Sequence, residues 1–98
     1  MTPYDERQYR LMLERLQAYA EGKIGLDRLT DDIEGLLNAL DSADQAWVDA
    51  ATRAWAKLED SRAAVRGGYQ GDVAPIVQQG AETLTALVQS ALKDIPTQ

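Results

Sequence analysis

The chain has 98 residues, no cysteine and no histidine, and a formal charge of −6 from 16 acids against 10 bases. Such a length makes one domain, residues 1–98, able to bury a core without cross-links. The missing thiols and imidazoles exclude disulfide and thiolate chemistry and remove the commonest general base and transition-metal ligand. A pI near 4.4 argues against sequence-independent nucleic-acid binding, which needs Lys and Arg at phosphates. No apolar run approaches the roughly 20 residues that cross a bilayer. The opening MTPYDERQYR has no signal-peptide core, so the expected address is the cytoplasm, away from membrane.

Thr2 before Pro3 reads as an N-cap and first helical residue, with Asp5 and Glu6 well placed against the helix dipole. Tyr9, Met12, Leu13, Leu16, Tyr19 and Ala20 then recur on one helical face, predicting a helix over 3–21 that Gly22 closes. After Lys23-Ile24-Gly25, a second helix over 26–40 buries Leu26, Leu29, Ile33, Leu36, Leu37 and Leu40. This stripe sends Asp27, Asp31, Glu34 and Asn38 to the outer face, at i, i+4, i+7 and i+11.

Ser42 with Gln45 has capping-box form and predicts a third helix over 43–66. Its stripe is Trp47, Ala51, Ala54, Trp55, Leu58 and Val65, with Arg62 also on it, where it must meet an acid or project beyond the core. Gly67-Gly68 ends this helix. A fourth, over 73–94, starts near Pro75, which only a first turn tolerates. Val77, Ala81, Leu84, Leu87, Val88, Ala91 and Leu92 form its buried face, and fraying is expected before Pro96. Gly80 lies inside the helix, costing about 1 kcal/mol against Ala unless a neighbouring backbone needs the space. Short connections between four such helices predict an all-α, four-helix up-down-up-down bundle.

Charge is unevenly spread along that frame. Residues 27–49 hold seven acids (Asp27, Asp31, Asp32, Glu34, Asp41, Asp44 and Asp49) against Arg28, while the flanking segments are balanced. The whole formal charge therefore sits in this stretch. Like charges four apart on a helix cost a few tenths of a kcal/mol per pair. A solvated, solubilising face is one reading of such crowding. The other is a surface that steers and selects a basic partner. On that reading Asp27, Asp31, Glu34, Asn38, Asp41 and Asp44 are the contacts. Trp47, beside Asp44 and Asp49, is either a core residue or a rim aromatic that anchors the partner.

Catalytic readings have little to stand on. Consecutive carboxylates such as Asp31-Asp32 point about 100° apart on a helix and do not chelate one ion. The Glu-x-x-His pairs of di-iron bundles are impossible without His. The serines and threonines lack an activating base. The glycine-rich 67–71 loop is not followed by the Lys-Ser/Thr of a phosphate loop. The expectation is a protein that is not an enzyme and has no catalytic, cofactor-binding or metal-binding residues.

The pattern Tyr19-x-x-Gly22-x-Ile24-x-Leu26-x-x-Leu29, then Asp32-Ile33-Glu34, Leu37, Leu40, Trp47 and Trp55-x-x-Leu58-Glu59, resembles small helical immunity proteins. These accompany polymorphic toxins, including those of contact-dependent growth inhibition. The resemblance covers about residues 9–60 and does not extend to the glycine-rich loop or the fourth helix. Gly25 stands where a Ser-type cap is expected, and Ala51 where a larger side chain is common. The resemblance implies a protein that neutralises a cognate toxin domain, often a nuclease with a basic surface, by occluding its active or substrate-binding site. Two other classes remain: an adaptor or secretion chaperone holding an amphipathic segment between helices, and a structural domain that homodimerises.

Overall fold

A computed structural model describes residues 1–93. The described chain is entirely helical: α1 Pro3–Ala20, α2 Leu26–Ala39, α3 Gln45–Arg66 and α4 Ala74–Lys93. The expected end of the fourth helix at Asp94 and its fraying before Pro96 lie outside the described residues.

Local chemistry sets most of these boundaries. The Thr2 hydroxyl accepts the Asp5 N–H at 3.1 Å, and Pro3 occupies the first turn. At the other end of α1, Gly22 takes φ +76°, a conformation that favours glycine. Its N–H donates to the Tyr19 carbonyl at 3.0 Å, and the Lys23 N–H donates to Ala18 at 2.8 Å. Those two bonds make a Schellman stop. The same stop ends α3, with Gly68 at φ +94° and bonds from Gly68 to Val65 and from Tyr69 to Ala64.

The start of α3 departs from the capping-box expectation. The helix begins at Gln45, with Asp44 as an N-cap whose side chain makes no capping bond. Ser42 is diverted instead, because its hydroxyl donates to the Asp5 carboxylate at 2.9 Å. The α3 stripe also shifts near its end. Val65 is 50% exposed while Ser61 is 4% exposed, so the buried line leaves the apolar periodicity after Leu58.

Met12, Leu29, Ile33, Leu58, Leu84 and Val88 are fully buried and form the centre of the core. Each helix packs on two others in the order α1–α2–α3–α4–α1, and the backbones of the diagonal pairs stay apart. Hydrogen bonds between helices fix their directions. The start of α1 meets the end of α2 through Asp5 and Ser42. Late α3 meets early α2 through Arg62 and Asp31. Early α3 meets late α4 through Trp47 and Leu87. Neighbours are thus antiparallel, in an up-down-up-down bundle.

The two tryptophans tie α3 to its neighbours. The Trp55 indole N–H donates to the Thr30 carbonyl, and that of Trp47 to the Leu87 carbonyl, both at 2.9 Å. Trp47 also meets the ring of Tyr9 edge-to-face, with centroids 5.0 Å apart at 81°. Each ring buries its apolar body and gives its one polar atom an acceptor. Gly80 explains how closely α4 approaches α3. A Cβ there would lie 2.9 Å from the Ala54 carbonyl oxygen and 3.2 Å from Lys57 Cβ. The glycine is where a neighbouring backbone needs the space.

Candidate functional site

The acidic stretch becomes two regions with different electrostatics. At the N-terminal end of α2, Asp27 and Asp31 face late α3. The Arg62 guanidinium donates to Asp31 at 2.5 Å, to the Asp27 backbone carbonyl at 3.3 Å, and to Glu59 on its own helix. Arg66 adds a contact to the Asp27 carboxylate at 3.1 Å. This answers the placement of Arg62 on an apolar stripe: it folds back over α2 and meets acids.

The Arg62 side chain is only 11% exposed, whereas Asp27 and Asp31 keep 63% and 64% of theirs open. The arginine stem is buried under the acids, and the acids remain on the surface. Hydrogen bonding to Asp31, with further help from Glu59, holds the Arg62 guanidinium protonated above its ordinary value despite burial. Its Nε is buried without a hydrogen-bond acceptor, the Asp27 carboxylate standing off at 3.9 Å. Asp32 points the other way around the helix. Its Oδ2 lies 3.3 Å from Arg15 on α1 and 3.6 Å from Arg28.

Beyond Asp32 the pairing stops. Glu34, Asn38, Asp41 and Asp44 are all exposed, and among the described residues none of these three carboxylates has a basic partner. Asp49, one turn into α3, accepts only from Gln45 at 2.8 Å. The uncompensated charge therefore collects over the C-terminal half of α2, the α2–α3 turn and the first turn of α3. Trp47 sits beside this patch. It is partly buried, with its N–H and one ring edge engaged inside the bundle by Leu87 and Tyr9.

The turn that carries the patch is rigidly held by a residue whose importance the sequence pattern conceals. Asp5 is 1% exposed, and its carboxylate accepts the Asp41 N–H at 2.8 Å and the Ser42 N–H and hydroxyl at 2.9 Å each. Burial alone pushes the Asp5 carboxyl up. The hydrogen bonds from Asp41 and Ser42 outweigh it and hold the group below the ordinary carboxylate range. A charged, fully accepting carboxylate under the turn thus presents Asp41 outward with its backbone fixed from behind. Nothing local marks Asp5 for this role, because its partners lie 36 and 37 residues along the chain.

Chemically, the arrangement offers hydrogen-bond acceptors and negative potential on an exposed surface whose turn is tied to Asp5. The described residues contain no grouping of acids suited to a metal ion, and no described helix is long and apolar enough to cross a membrane. Comparison of the chain with protein-family models, curated proteins and solved structures finds no match in any of the three.

Proposed function

We propose that this protein is an immunity-type inhibitor that binds a basic toxin domain through the acidic surface formed by α2 and the α2–α3 turn. The observation that carries the reading is the set of exposed, unpaired carboxylates at Glu34, Asp41 and Asp44. The same bundle pairs Asp27, Asp31 and Asp32 with its own arginines. Unpaired acids crowded at one end raise the local potential and favour a cationic surface, such as the phosphate-binding face of a nuclease. Asn38 sits within the patch as a neutral hydrogen-bonding group. Asp27 and Asp31 form its outer margin, where they would exchange Arg62 and Arg66 for bases of the partner.

The rigidity of the turn supports the same reading. A surface held by Asp5 and flanked by Trp47 loses little conformational entropy when a partner docks. The mechanism is occlusion: acids occupy the sites at which the toxin would bind its polyanionic substrate. The test is growth rescue. If a toxin-like domain is encoded beside this chain's gene, cells expressing it should survive when the chain is co-expressed, and the two should co-elute in gel filtration. The Glu34→Gln/Asp41→Asn/Asp44→Asn protein should melt normally yet lose rescue. Survival unaffected by the wild-type chain contradicts the proposal.

A further inference from the structure

The seam between α1 and α4 is not closed along its length. At one end Trp47 bridges both helices through Tyr9 and Leu87. Towards the other end the seam opens into a groove of about 1150 Å³. Buried Leu16 and Val77 form its floor, and half-buried Leu13, Tyr19, Ile24 and Ala81 form its walls. Gly80 lets α4 settle against the Ala54 backbone of α3, on the side away from α1. The residues flanking it on the α1 side are left without a full complement of neighbours.

We infer that this groove docks an amphipathic helix of another protein, apolar along one face and flanked by Lys or Arg. Shape favours a helix over a small molecule, because the groove is open and runs along both helices instead of enclosing a ligand. The α4 wall runs from Ala74 to Gln89, about 22 Å at 1.5 Å per residue, or four turns. Charge selects the flanks. Glu14 on the α1 rim, 3.6 Å from an Arg15 that also faces Asp32 at 3.3 Å, and Glu82 on the α4 rim stand on opposite sides of the apolar floor. The rim's base, Arg10, is already paired with Glu6 at 3.1 Å. A helix carrying cations on both shoulders meets an acid on each wall.

Charge also argues against a second copy as occupant. A two-fold contact would bring together two chains that each carry a net charge of −6. In the ring order of the helices the α1–α4 seam lies across the bundle from the α2–α3 seam. The groove therefore stands apart from the acidic turn, and its occupancy does not depend on the immunity reading.

The experiment displays a library of helical peptides with apolar residues fixed at i, i+3, i+4 and i+7 and every flanking position randomised. Selection uses the full chain as target. The expected winners are enriched in Lys and Arg on both flanks and shift the amide resonances of Leu13, Tyr19 and Ala81. Ala86 is exposed and lines the groove, so Ala86→Arg leaves the fold intact while projecting a long cation into it. It should weaken the selected peptides by more than about tenfold, and Glu14→Gln or Glu82→Gln by about threefold each. Three results overturn the inference: no enrichment, flanks that are neutral or acidic, or binding indifferent to Ala86→Arg. Sedimentation of the chain alone is the second arm. A dimer dissociated by Ala86→Arg assigns the groove to a second copy and overturns the inference as well.

Discussion

Replacing Asp5 should be the most damaging polar substitution in the bundle. Its carboxylate is 1% exposed and receives three hydrogen bonds, from the Asp41 N–H, the Ser42 N–H and the Ser42 hydroxyl. Bonds to a charged acceptor contribute about 1.5–3 kcal/mol each. They are not additive here, because Asp41 and Ser42 are exposed and water replaces part of what they lose. A loss of about 2–4 kcal/mol for Asp5→Ala follows. Asp5→Asn keeps the shape, but its amide nitrogen offers a donor where an acceptor is needed, so it should lose most of the same amount.

The pH dependence of that loss is a separate signature. The folded-state pKa of Asp5 is lowered, so its contribution is fully present above the unfolded value of about 3.9. It disappears as pH falls through the lower folded value. Urea titrations of wild type and Asp5→Asn should therefore differ by a constant amount from pH 7 down to about 5 and converge in more acid solution. If Asp5→Ala costs less than about 0.5 kcal/mol, or if the gap to Asp5→Asn stays constant into strong acid, the turn is not held by this carboxylate.

Gly80→Ala gains about 1 kcal/mol of helix propensity but forces a carbon to 2.9 Å from the Ala54 oxygen, where about 3.3–3.6 Å is ordinary. Overpacking of about 1–3 kcal/mol outweighs the gain, so denaturant titration should find Ala destabilising and Leu worse; stabilisation by both refutes the close approach. Leu58→Ala, at a fully buried position, should cost about 2–5 kcal/mol in the same assay, against less for half-buried Leu36→Ala. Arg62→Met should lower the melting temperature, and more so at low salt, because Asp31 and Glu59 lose their shared cation. A melting temperature that is unchanged at low salt would show the pairing to be incidental.

The helices were legible because their apolar spacing is helical throughout and their stops are local. Gly22 and Gly68 announce their own backbone conformation. The Ser42-x-x-Gln45 signal misled because a capping box is a local inference, and Asp5 offers Ser42 a stronger, charged acceptor from another helix. Val65 fits the α3 period yet is exposed, since α3 outruns the core beyond Ser61. For the site, the exposure of Asp27, Asp31, Glu34 and Asn38 follows from spacing alone. The division of the acids into paired and unpaired sets does not. It depends on Arg62, Arg66 and Arg15 arriving from α3 and α1, contacts set by how the helices pack. The α1–α4 groove was equally hidden, because it arises from how two helices far apart in the chain pack and not from any motif.

On the proposed reading, the unpaired acids around the α2–α3 turn recruit a basic partner. Stopped-flow association with a basic candidate toxin domain, at low and physiological ionic strength, measures that recruitment. Wild type is compared with the Glu34→Gln/Asp41→Asn/Asp44→Asn protein and with the Asp27→Asn/Asp31→Asn protein, and thermal melts of each free variant serve as controls. The triple substitution should slow association by about tenfold at low salt and flatten its salt dependence. The double substitution should slow it less, because Arg62 and Arg66 already offset those charges. A triply neutralised protein that melts normally and associates at the wild-type rate at both salt levels would contradict the claim and leave these acids as solvated surface.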